Sequence, residues 1–400
     1  MTARESWAPE NRQQIIEKQI ERLSATQKQM LEVASIAGAE FSAATVAAGA
    51  GIAVEVVEEQ CEELALHEQF LRARGAADWP DGTVAARYSF LHALYQDVLY
   101  GRLTARRRQR LHQQIGERIE QAYGERAKEI APELAVHFER GRDYRRAVHY
   151  LYQAGENAVR RSAYQEAITH LTKGLEFLKT LPDTPERARQ ELFLQTALGP
   201  ALMVAKGPGT PEVGQAYARA RELCRQVGQT PQLLPVLRGL CSFYWTQAEL
   251  ETARELAEQC LSLAQNARNP IFLVWAHYLL GCSLYTLGEF AQAREHWEAG
   301  FALYDSQQQR SALGNSGVEC LSYLAWHLWF LGYPDQALQR IHAALTLAQE
   351  LSRPYSLALA LNFAGFVHQL RWEVQAAQER AGALIALSPE QGFPHLLALG

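Results

Sequence analysis

Beyond residue 140, apolar residues recur three and four positions apart in one segment after another, the spacing that lays them along one face of a helix. DYRRAVHYLYQAG (143–155) and AYQEAITHLTKG (163–174) repeat a tyrosine, an alanine and a later small residue, and predict one helix pair from Tyr144 to about Thr180. Thr184-Pro185-Glu186 and Thr210-Pro211-Glu212 each supply a capping hydroxyl, a proline at the first helical position and an acid in the first turn. Thr230-Pro231 opens a further helix in the same way. The first 140 residues read differently. Ser24-Ala-Thr-Gln27 is a capping box for a helix to about Ala37, Ser42 opens a short helix, and Val54 to His67 forms a third. FLRAR (70–74) and VAARYSF (84–90) then alternate like two strands around the turn WPDG (79–82).

In the helical region Ala253, Ala293, Ala337 and Ala377 lie 40, 44 and 40 residues apart, and Cys241, Gly281, Ala325 and Gly365 each stand twelve residues earlier. Small residues at two fixed points let paired helices approach closely. LGEF (287–290) and LGYP (331–334) mark the turns. Leu280-Gly281, Ala293, Trp297 and Gly300 resemble the helix-pair pattern of tetratricopeptide repeats, though in longer units than that family's usual 34 residues. Pro394 follows Pro354 by 40 residues, so the array is expected to continue past residue 400.

Three helices followed by a hairpin predict a small winged helix. In a DNA-reading winged helix the third helix enters the major groove and needs a neutral or basic face. Here it carries Glu55, Glu58, Glu59, Glu62, Glu63 and Glu68, with no lysine or arginine from Val54 to Leu71, so DNA readout is not expected. The basic cluster Arg102, Arg106, Arg107, Arg108 and Arg110 reads as a solvated face paired with acidic neighbours.

Charge and composition narrow the picture further. A net charge of -5 leaves no overall basic field to recruit nucleic acid or an anionic membrane. The cysteines at 61, 224, 241, 260, 282 and 320 never approach CxxC spacing, and scattered thiols suit a reducing cytoplasm. The polar start MTARESWAPENRQQ lacks the apolar stretch of a signal peptide. Asn269 to Gly288 is uncharged over twenty residues, but Asn269, Pro270, His277, Ser283 and Thr286 interrupt it, which favours a buried repeat helix over a membrane span. His92, His112 and Asp97 have no spacing that places two metal ligands on one helix turn, and no nucleophile elbow is present.

The order of parts resembles the signal-transduction ATPases with numerous domains, which place a winged helix and a helical repeat array after a nucleotide-binding module. The segments LSATQKQMLEVASIAGAEFS (23–42), YSFLHALYQDVLYGRL (88–103), RRRQRLHQQIGERIE (106–120), LPDTPERARQEL (181–192) and AWHLWFLGYPDQAL (325–338) carry the likeness. It is nearest to a bacterial branch in which an AAA-type ATPase with such repeats is often fused to a class III adenylate or guanylate cyclase domain. The sequence has no Gly-x-x-x-x-Gly-Lys-Ser/Thr phosphate loop, no acidic strand for magnesium and no cyclase domain. The resemblance therefore implies a non-catalytic regulatory region with no cofactor of its own; ATP or ADP and magnesium would belong to an upstream module. Leu91-His92-Ala93-Leu94-Tyr95-Gln96-Asp97 resembles the family's Met-His-Asp-type motif with Ala93 in place of the acid. His92 is thus either a nucleotide sensor or a hydrogen-bonded packing residue at the junction of wing and helix.

The expected fold is mainly α: a small winged-helix domain followed by a TPR-like α-solenoid of antiparallel helix pairs. Residues 1–23 read as a linker helix from a preceding ATPase module, 24–103 as the winged helix, 104–180 as a helical connector with the first helix pair, and 181–400 as the solenoid. In such pairs the first helix lines the concave surface, where Trp245, Trp275, Tyr278, Tyr285, Trp326, Trp329 and Phe366 fall. They are expected either to form a groove for a protein or peptide partner or to fill space between repeats. The function that follows is a cytoplasmic regulatory arm working with an upstream ATPase or cyclase module. The alternatives are a transcriptional regulator using the winged helix or a missing domain, and a stand-alone TPR adaptor.

Overall fold

The structure, a computed structural model, describes residues 9–228, 231–305, 316–391 and 393. The chain divides into two units, Met1–Ala154 and Gly155–Gly400. The division falls inside the helix Tyr144–Arg160, within the 104–180 stretch read as a connector.

The first unit runs α1 (Pro9–Glu21), α2 (Ala25–Ala37), β1 (Glu40–Ser42), α3 (Ala43–Ala50), α4 (Val54–Leu66), β2 (Leu71–Asp78), β3 (Val84–Phe90), α5 (Ala93–Arg102), α6 (Ala105–Tyr123), a 3-10 turn (Gly124–Ile130) and α7 (Ala131–Arg140). The capping box holds: the Ser24 side chain accepts from the Gln27 N–H, and the Gln27 side chain accepts from the Ser24 N–H. The three strands form an antiparallel sheet in the order β1-β3-β2, with Phe41 opposite Tyr88 and Leu71 opposite Phe90. Helices α2 to α4 around this sheet have the order and pairing of a small winged helix. Val57, Cys61 and Leu64, four and three residues apart, bury one face of α4. The other face is acidic, with Glu55, Glu59, Glu62 and Glu63 exposed, and Glu68 is exposed in the turn that follows. Glu58 is used internally, its Oε1 accepting the Ala86 N–H of the hairpin at 2.8 Å. Of the basic cluster, Arg107 pairs with Glu32 at 3.0 Å and Arg108 lies over the Tyr100 ring.

From α8 (Tyr144–Arg160) the chain is helix on helix: α9 (Tyr164–Leu178), α10 (Pro185–Lys206), α11 (Pro211–Val227), α12 (Leu233–Thr246), α13 (Leu250–Ala267), α14 (Pro270–Thr286), α15 (Phe290–Asp305), α16 (Ser316–Phe330), α17 (Pro334–Glu350), α18 (Pro354–Leu370) and α19 (Val374–Gln391). Thr184 caps α10 through its side chain. Thr210 has the backbone of a cap, but its side chain accepts no N–H of the first turn; its hydroxyl donates to the Gly207 carbonyl. Thr230 and Pro394 lie outside the described residues. The stretch Asn269–Gly288 becomes α14, and among the described residues no helix is long and apolar enough to cross a membrane. All six cysteines are free and buried.

The aligned small residues are where helices meet. Trp297 is fully buried across Gly281, where an added Cβ would stand 2.4 Å from the indole nitrogen. Gly300 faces Cys320 and His277, and Ala253, Ala293 and Ala337 are fully buried. Phe393, also fully buried, touches both Tyr164 of α9 and Tyr355 of α18, so the first and last helix pairs of this unit meet.

Candidate ligand-binding face of the helical repeats

The first helices of successive pairs, α12, α14, α16 and α18, pack on one another as well as on their own partners. No comparable contact joins the second helices α11, α13, α15 and α17 among the described residues. A stack whose first helices touch while its second helices splay curves with the first helices inside. The seven aromatic residues singled out by the sequence all lie on these inner helices, and all are half-buried.

Six of them fall in one connected aromatic cluster, whose two parts are joined by Phe363, 4.6 Å from Tyr323 and 5.6 Å from Trp326, and one stands separate. Trp245 and Tyr278 meet through Tyr323, whose ring centroid is 6.3 Å from the first and 5.5 Å from the second. Tyr285 and Phe366 meet through Trp326, at 5.8 and 5.9 Å, and Trp329 joins that cluster through Phe330. Trp275 stands apart, with the Arg238 guanidinium 4.5 Å above its ring.

Arg238 leads to a feature that the aromatic pattern did not reveal. Its Nη2 is 3.5 Å from Oε2 of Glu319, a residue only 8% exposed, and this ion pair links α12 to α16 across α14. Burial pushes the Glu319 carboxyl up from its ordinary pKa, while Arg238 opposes the shift. Oε2 accepts no hydrogen bond, and the buried indole N–H groups of Trp245 and Trp275 have no acceptor. Burial also holds the Tyr278 and Tyr323 hydroxyls well above the usual phenol range, so both stay neutral. The inner face thus combines a buried ion pair, two indole N–H groups without acceptors, and a wall of aromatic rings. Its sequence signal was present: Arg238 is the only charged residue of α12, and Glu319 the only acid of α16.

His92 lies in the first unit, exposed at the N-terminus of α5. Its Nδ1 accepts the Leu94 N–H at 3.1 Å, which makes it a helix cap at the end of the wing. Among the described residues no group of three His, Cys, Asp or Glu side chains is placed to hold a metal ion.

No protein-family model matches the chain. An uncharacterised protein of Rhizobium meliloti (strain 1021) is 26% identical over 281 residues, covering 68% of this chain, and the chain spans only 27% of that relative's length. Among solved structures, a Rap protein complexed with Competence and Sporulation Factor aligns with 72% of this chain and 84% of its own at 13% identity, with a TM-score of 0.52. NprR in complex with its cognate peptide NprX aligns with 73% of this chain and 82% of its own at 15% identity, with a TM-score of 0.50. These likenesses show a TPR-like helical repeat fold.

Proposed function

We propose that the chain is a non-catalytic regulatory arm whose repeats bind a peptide or an extended segment of a protein on the inner face. The observation that carries this reading is the pair of buried indole N–H groups without an acceptor among the inner aromatics, Trp245 Nε1 and Trp275 Nε1, beside the Arg238–Glu319 ion pair. A buried polar group without a partner costs about 1–3 kcal/mol, so each of these atoms calls for a partner supplied from elsewhere. An extended peptide backbone offers carbonyls for the indoles, and its side chains can rest on the aromatic rings. That one similar fold was solved with its cognate peptide supports the same reading.

The arm would act on an ATPase module, often joined to a cyclase, elsewhere in a longer polypeptide, with His92 facing its nucleotide. The segments that resemble signal-transduction ATPases support this, as does the much greater length of the Rhizobium relative. Ligand on the repeats changes the ATPase only if its affinity differs between two states of the protein.

Panning a displayed library of extended peptides on the 1–400 chain tests the ligand reading. Enriched peptides should lose binding to Glu319→Gln and to Trp275→Phe, and equal binding by all three proteins would refute it. In a longer protein, ATP hydrolysis that is identical with and without the repeats would refute the regulatory role.

A further inference from the structure

The first unit holds a polar cavity of about 500 Å³ where four of its helices converge. Glu133, Val136, His137 and Arg140 fall at i, i+3, i+4 and i+7 of α7 and form one wall. Gln96, Asp97 and Tyr100 of α5 form another. The last turn of α2 and its cap Gly38 contribute to the lining, and α6 supplies His112. Of the three residues weighed in the sequence as a metal set, His112 and Asp97 therefore share one cavity, and His92 does not line it.

His112 is the residue that calls for a ligand. It is 1% exposed, and its Nε2 has no hydrogen-bond partner among the described residues. Its Nδ1 lies 3.1 Å from Nδ1 of His137, which is 4% exposed. Burial foremost keeps both rings neutral, and the Arg140 charge adds to the effect. One Nδ1 must then carry a proton and the other must be bare, so the two rings hold opposite tautomers. In one arrangement His112 Nε2 accepts a hydrogen bond, and in the other it donates one. Either way a buried nitrogen lacks its partner, in a cavity many times the volume of a water molecule.

Charge narrows the kind of partner. The Arg140 guanidinium and the Asp97 carboxylate are both exposed, and neither makes an ion pair or side-chain hydrogen bond among the described residues. Glu133 adds a second carboxylate; the Arg87 charge that acts on it is itself engaged by Glu40 at 3.1 Å. The C-terminus of α2 adds partial negative charge. A simple anion would meet two carboxylates here, and a simple cation would meet Arg140. A molecule carrying both signs matches the whole lining. Ile36, Ala37 and Val136 leave room for an apolar part.

We propose that this cavity binds a small zwitterion of the free amino acid class, with its carboxylate on Arg140, its ammonium on Asp97 and Glu133, and one of the two head groups on His112 Nε2. Each head group is served by one of the two tautomer arrangements. The site draws on no residue of the inner face, so it stands or falls independently of the peptide reading.

The common free amino acids, titrated one at a time at millimolar concentration into the full 1–400 chain, are the probes, and isothermal titration calorimetry is the readout. At least one should bind. Arg140→Gln and Asp97→Asn should each weaken that binding by about tenfold or more, with the melting temperature unchanged because neither side chain holds the fold together. Analogues of the bound amino acid that lack only the amine or only the carboxylate should bind about tenfold more weakly or worse. In protein labelled with carbon-13 at histidine Cε1, the ligand should move the His112 and His137 signals, assigned with His112→Gln, and leave His92 in place. Glu319→Gln on the inner face should leave the affinity unchanged. Absence of binding by every amino acid would overturn the proposal. So would equal affinity of wild type and both charge variants, equal binding of the single-charge analogues, or loss of binding in Glu319→Gln.

Discussion

Two glycines at the same repeat position should respond with opposite signs to the same substitution. Gly281 and Gly365 both lie within first helices, so replacing either by alanine removes the entropic disadvantage of glycine in a helix, a gain of about 0.5–1 kcal/mol. At Gly365 the new methyl meets open space, and the gain should appear in full. At Gly281 it would stand 2.4 Å from Nε1 and 2.6 Å from Cδ1 of Trp297, a side chain with no exposed surface and no room to retreat. Overpacking of that kind costs about 1–3 kcal/mol. Gly365→Ala should therefore stabilise the repeats by up to about 1 kcal/mol, and Gly281→Ala should destabilise them by about 1–2 kcal/mol, a split of roughly 2 kcal/mol. Urea denaturation followed by far-UV circular dichroism measures both, with indole fluorescence reporting the displacement of Trp297. If the two variants shifted in the same direction by similar amounts, the equivalence of the pairs and the filling of one by Trp297 would both be wrong.

Other consequences follow from buried polar groups. His112 and His137 sit with their Nδ1 atoms 3.1 Å apart and both rings buried; burial foremost lowers their pKa values, to about 3 and about 4. Because the folded values lie below the ordinary 6.5, the unfolded chain binds more protons as pH falls from about 6.5 toward 4, and stability is lost over that window. At pH 5 the pair should have cost the first unit about 4 kcal/mol relative to pH 7, and a urea midpoint that stays level between those values would contradict it. Arg238→Met leaves the Glu319 carboxylate buried without its partner and should destabilise the repeats by about 3 kcal/mol, most of it restored by adding Glu319→Gln; calorimetry of the single and double variants decides. Ser24→Ala removes a side-chain cap from α2 and should cost the first unit about 1 kcal/mol in the same denaturation assay.

Much of this architecture is written in local spacing. The cap at Ser24, the proline entries at 185 and 211, and the buried stripe Val57, Cys61 and Leu64 depend on neighbours within one or two turns, so the sequence alone places these helices. The same is true of the alternation of small and large residues that fixes how each pair packs, because Gly281 and Trp297 are held to one register by a short turn. Thr210 shows where such reasoning fails: the proline entry holds, but the Thr210 side chain accepts no N–H of the first turn, and its hydroxyl donates to the Gly207 carbonyl.

The two candidate sites required the fold. Arg238 and Glu319 are 81 residues apart, and nothing local sets the angle at which one helix pair stacks on the next. That angle is the summed outcome of packing along the whole array, and it brings a lone cation and a lone acid together across an intervening helix while leaving their surroundings short of hydrogen-bond partners. The sequence by itself determined that helix pairs of one kind repeat and which positions keep them close. Only the tertiary structure decided which of their side chains face one another and where the surface remains uncovered, because curvature and the space left between small residues are properties of the assembled stack.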